Sequence, residues 1–178
     1  YTGASGQLEG FDVYIARRVA RDFPGNPKIE LVELDSAERI KALRRNKVDI
    51  LIANLTRTED RAKIVDFAAP YMKVQIGVVS PRRDPVTATN QLVGKKLIVP
   101  KGPRAQQYFS ANHSNVDLLE CDNYNEAFAA LMRGDGVALA DDNPSLLGWV
   151  KNNPMYIVGI RSLGEVEFVA PAVRKRQV

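Results

Sequence analysis

The chain has 178 residues, 45% hydrophobic and 26% charged, an ordinary balance for a globular protein. No apolar run approaches the roughly 20 residues that span a bilayer. Net charge is +4 and the pI is near 9.2, but Lys and Arg are spread along the chain and cluster only at Arg174 to Arg176, so a nucleic-acid surface is not supported. One His and one Cys exclude an internal disulfide and a zinc ligand set; no metal and no cofactor is expected.

Helix and strand patterns alternate from the start. Gly10-Phe11-Asp12 leads into a helix with Val13, Ala16, Val19 and Ala20 on one face. Asp12 suits the positive end of its dipole, and Phe23-Pro24-Gly25 ends it. Ile29 to Leu34 alternates and is rich in β-formers, so a strand is expected. Asp35 or Ser36 is expected to cap a helix with Ile40 and Leu43 on its apolar side. The run Val48 to Ala53 then reads as a buried strand, and Val74 to Val79 as another.

Ser80 to Asn90 changes character. Pro81-Arg82-Arg83-Asp84-Pro85 makes a polar connector, the best candidate for a boundary between lobes. A second αβ series follows. Strands are expected at Lys96 to Val99, Val116 to Glu120, Val137 to Ala140 and Tyr156 to Ile160. Helices are expected after Gly102-Pro103, after Asn123 or Asn125 and after Asn143-Pro144, and Phe168 to Val173 is the last apolar stretch. This alternation predicts an α/β protein with largely parallel sheets, whose ligands bind beyond the carboxyl ends of the strands.

That rule selects candidate binding residues. In ANLTRTEDRAKIVDF, Ala53 to Phe67, the chain leaves a strand, turns and opens a short helix near Glu59. Unpaired N–H groups, the helix dipole, Thr56, Thr58 and the Arg61 fork together suit a carboxylate. The alternative is that Thr58 caps the helix and Arg61 lies on a solvated face. Pro100 to Arg104 offers a second helix start, with Gly102 allowing close approach and Arg104 in the first turn. Asp141-Asp142 could meet an ammonium group, or cap the helix that follows. Arg39 could reach the same cleft or decorate its helix. His113 reads as a surface residue closing its helix, and no acid–base constellation points to an enzyme.

The segments GFDVYIARRVA, ALRRNKVDILIANLTRTEDRAKIVDFAAPYM, VALADDNPSLLGWV and FVAPAVRK resemble, in order, the bacterial family 3 extracellular solute-binding proteins, the polar amino-acid receptors of ABC importers. The resemblance implies a two-lobed type II periplasmic-binding-protein (Venus flytrap) fold, each lobe a mainly parallel sheet flanked by helices. Lobe 1 would span 1–79 and resume at 165–178, with lobe 2 at 80–164. A first strand before Tyr1 and a final helix after Val178 would complete it.

The resemblance also assigns roles. Arg61 would bind the ligand α-carboxylate and Asp142, from the opposite lobe, the α-ammonium. Thr56 would hydrogen-bond the amino acid, and the Asn54 carbonyl would meet the ammonium. Gly102 to Arg104 would close over the carboxylate. Arg39 and Tyr124 resemble residues of members that take acidic amino acids, so aspartate or glutamate is the expected ligand, with cysteine or another small polar amino acid next. The implied partners are the permease subunits of an ABC transporter, at a periplasmic or extracellular location, with or without a lipid anchor. A sensory domain of a membrane receptor or kinase is the alternative.

Overall fold

A computed structural model of the chain describes residues 6–25, 27–101 and 103–176. It divides into two compact units, Tyr1–Lys73 with Glu167–Val178, and Val74–Val166.

In the first unit, α1 (Phe11–Asp22) follows Gly10, whose φ of 116° only glycine adopts freely. The helix stops at Phe23, held extended ahead of Pro24. Next come α2 (Arg39–Arg44), β1 (Ile50–Leu51), α3 (Glu59–Ala62) and β2 (Val65–Phe67); the returning chain adds β8 (Ala172–Arg174). The strand order is β1-β8-β2, and β8 runs antiparallel to both neighbours. The described pairings here therefore depart from the expected parallel sheet: β1 and β2 share a direction, but the returning strand is inserted between them. Two further expectations change. Ile29 to Leu34 has β-rich sequence but joins no ladder among the described residues, and Ile29 and Val32 are exposed. The second helix starts at Arg39, not beside Asp35 or Ser36, because the Glu38 N–H first closes a turn onto the Asp35 carbonyl.

The second unit contains most of β3 (Met72–Pro81) and of β7 (Tyr156–Val169). Between them lie β4 (Lys96–Pro100), α4 (Pro103–Asn112), β5 (Asp117–Cys121), α5 (Tyr124–Arg133), β6 (Ala138–Asp142) and α6 (Asn143–Asn152). The sheet order is β5-β4-β6-β3-β7, with β4 parallel to β5 and β6, and β3 antiparallel to β6. Both faces of this sheet are covered. Val78, Leu97, Val99 and Ala140 join one buried cluster with Phe109 of α4, while Val79, Ile98 and Leu139 join another with Leu131 and Leu146. Two-sided burial is why these strands read as continuous apolar runs. Asn123 caps α5 by accepting from the Glu126 N–H, and Gly134, at φ 82°, ends it.

The polar connector is packed rather than loose. The division between units falls between Lys73 and Val74, ahead of the expected boundary after Val79, because Ile76 to Val79 already pairs with β6. The Ser80 hydroxyl is buried and accepts from the Val86 N–H at 2.8 Å, and Arg82 Nε donates to the Pro154 carbonyl at 2.8 Å. Gly159 of β7 lets the Val86 carbonyl approach so closely that a Cβ there would sit 2.1 Å from it.

Candidate functional site

The corner after β1 is built by backbone geometry. Asn54 has φ 45°, a left-handed conformation that Asn tolerates better than most residues. The chain then runs along the returning segment. Leu55 accepts from the Ala170 N–H at 3.1 Å, Thr56 bridges Val169, and the Arg57 N–H donates to the Phe168 carbonyl at 2.8 Å. Thr56 is buried by this pairing.

Thr58 caps α3, its Oγ1 accepting from the Arg61 N–H at 3.2 Å. The capping alternative thus holds for Thr58. It does not hold for Arg61, which is half-buried: its guanidinium folds back and Nη1 donates to the Thr56 carbonyl at 2.8 Å. The expected contribution of the helix itself is corrected. With 4 residues, and with Glu59 and Asp60 in its first turn, α3 offers an anion little dipole and two repelling charges.

Asn54 donates to the hydroxyl of Tyr71, which also feels the charge of Arg39. The Tyr71 hydroxyl donates to Asp12 Oδ1 at 2.7 Å. Burial pushes its pKa up, and the Asp12 carboxylate adds to this; a backbone hydrogen bond from Asn54 and the charge of Arg39 pull the other way. Phe11 packs on the same ring at 5.9 Å. The signal was present as Asp12 after Gly10-Phe11 and as Tyr71 after Pro70, but nothing local joins positions so far apart. An open cavity of about 470 Å³ is lined by Arg57, Thr58, Glu59, Ala62, Pro70 and Phe168; of the expected binding residues it includes Thr58 but not Arg61, Thr56, Asn54 or Arg39.

In the second unit, parallel strands gather the candidates. Pro100 of β4 stands level with Cys121 of β5, and β4 also runs parallel with β6. Arg104, Tyr124 and Asp142 therefore follow, or form, the carboxyl ends of three parallel neighbours, where α/β sheets bind ligands. Arg104 lies in the first turn of α4 and Tyr124 opens α5; Gly102 lies outside the described residues. Asp142 occupies the N-cap position of α6 yet makes no side-chain cap bond. Its Oδ1 accepts from Arg104 Nη1 at 3.1 Å, and the two side chains are 10% and 16% exposed. The capping alternative for Asp142 is thus set aside. His113 packs against the Phe109 and Tyr108 rings at 5.4 and 5.7 Å.

The fold is that of the type II periplasmic binding proteins. The crystal structure of the solute receptor for L-cysteine of Neisseria gonorrhoeae superposes with a TM-score of 0.90 and 48% identity over 98% of this chain and 72% of that one. The cysteine-binding protein of Campylobacter jejuni follows at 0.89 and 41%, over 98% and 71%. Residues 1–155 match the bacterial extracellular solute-binding proteins, family 3, and the chain belongs to that family. The ABC transporter glutamine-binding protein of Bacillus subtilis is 34% identical over 155 residues, and the glutamine-binding protein of Geobacillus stearothermophilus 36% over 156. The chain matches 57% and 60% of those two relatives' own lengths. Among the described residues no helix is long and apolar enough to cross a membrane.

Proposed function

We propose that this chain is the ligand-binding part of an amino-acid receptor serving an ABC importer, periplasmic or extracellular, that hands a free amino acid to permease subunits. Its two units are the two lobes of that receptor. The observation that carries the reading is the likeness to an L-cysteine receptor at 48% identity across 98% of the chain.

The chemistry of the candidate residues agrees with it. A zwitterion entering a protein loses hydration at both ends, so each charge needs a replacement partner. Arg61 takes the carboxylate and Asp142 the ammonium, with Thr56 and Asn54 contributing from the corner after β1. Charge-assisted hydrogen bonds contribute about 1.5–3 kcal/mol each, so several are required to reach the roughly 8 kcal/mol of micromolar binding.

Cysteine is the first candidate ligand. A side-chain carboxylate would need a cation beyond those that serve the ligand's own two charges, and Arg104 is already matched with Asp142. Aspartate and glutamate therefore rest on Arg39 and Tyr124 alone. A calorimetric screen of the full-length protein against the common amino acids tests the reading. The expected result is binding of cysteine or another small polar amino acid, lost in Arg61→Ala; a protein that binds none of them is not such a receptor. Glutamate binding that Arg39→Ala weakens far more than glutamine binding restores the acidic assignment.

A further inference from the structure

Described acceptors of the Arg104 guanidinium come from three strands. Besides Asp142 Oδ1, its Nη2 lies 3.3 Å from the Val74 carbonyl of β3 and 3.4 Å from the Glu165 carbonyl of β7. The Gln75 side chain ties the same two strands together, donating to the Gly164 carbonyl at 3.0 Å. Two main-chain acceptors thus add to the hold of Asp142 on the guanidinium.

We infer that Arg104 is the resident counter-ion of Asp142 and makes this acid refuse bare cations, so that it serves only ligands that bring their own carboxylate. The inference rests on the receptor reading above, in which Asp142 meets the ligand ammonium. A buried carboxylate by itself attracts any ammonium strongly, because few waters screen the interaction. A guanidinium 3.1 Å away offsets part of that attraction. An incoming monocation must share Asp142 with a like charge that also has carbonyl acceptors beside it. A zwitterion meets the same cation with its carboxylate end, and the repulsion at one end is offset at the other. Arg104 is then a specificity-determining residue that excludes amines, rather than a selector of acidic side chains.

Titration of the full-length protein with L-cysteine and with cysteamine, its decarboxylated amine, tests this. R104Q is expected to raise cysteamine affinity by about tenfold or more. R104K retains a cation and should keep cysteamine binding weak, and adding D142N to R104Q should abolish the gain. Cysteamine binding that R104Q leaves unchanged or weakens, or that R104K raises as much as R104Q does, overturns the role of Arg104. Wild-type protein that binds no amino acid instead sinks the receptor reading, while the cysteamine comparison still reads the grip of Arg104 on Asp142. Trp149, stacked on Phe128 at 4.5 Å, reports by fluorescence whether each variant is folded. If R104Q is not, Arg104→Met, which keeps the aliphatic stem, is titrated in its place with the same outcomes.

Discussion

The two units build their sheets on different plans. In the second unit, buried side chains alternate between two clusters on opposite faces of β3, β4 and β6. In the first, one cluster of Leu43, Leu51, Leu55, Val65 and Ala172 lines one face. Ile50 and Val173, paired across β1 and β8, lie on the other face and are 41% and 42% exposed. The contrast shows how one chain encodes two kinds of sheet. The run Leu97-Ile98-Val99 is buried throughout, as in a strand covered twice, whereas Ile50 is exposed and Leu51 buried, as in a strand covered once.

The largest expected effect lies in the core of the second unit. Phe109 is fully buried between α4 and the sheet of the second unit. Phe109→Ala should cost about 3–5 kcal/mol in denaturant unfolding, since a large cavity opens in a core that cannot collapse easily. Leu43 is as deeply buried, but in the smaller cluster. Leu43→Ala should fall at the low end of the usual range, about 2–3 kcal/mol, because a one-sided core relaxes more readily. A larger loss at Leu43 than at Phe109 would reverse the ranking of the two cores.

Ser80 sharpens the comparison at the connector. Ser80→Ala leaves the Val86 N–H without its buried acceptor and should cost about 1–3 kcal/mol; a loss no greater than that of an exposed serine would mean the connector is not fastened there.

Tyr71→Phe removes the bond to Asp12 and should cost the first unit about 1.5 kcal/mol, the low end for a bond to a carboxylate. Its pH dependence has a definite sign. The folded-state pKa of Tyr71 is raised above its ordinary 10.0, mainly by burial and then by Asp12. The folded form therefore holds the proton more tightly, and this contribution is complete below pH 10 and lost as pH rises beyond it. Alkaline unfolding curves of wild type and Tyr71→Phe should converge accordingly.

The smallest effect is chemical. Cys121 is buried at the end of β5, and burial raises its thiol pKa. A maleimide should label it far more slowly in the native protein than in denaturant, and equal rates would indicate that this edge of the second unit is open.

Local sequence determined much of this protein. The α/β alternation, the strands of the second unit, the stop at Phe23-Pro24-Gly25 and the cap at Asn123 all follow from spacing and from residues with strong backbone preferences. The motifs around Arg61 and Asp142 carried the family. The remaining features depend on partners remote in the chain. Ile29 to Leu34 has the composition of a strand but no ladder among the described residues, and the first unit's sheet became antiparallel because a strand returns from the far end of the chain. Tyr71 found Asp12, and Arg104 found Asp142, across separations that no periodicity encodes. Propensity and pattern act over a few residues, whereas the pairing of a buried charge is set by which chain segments the fold brings side by side.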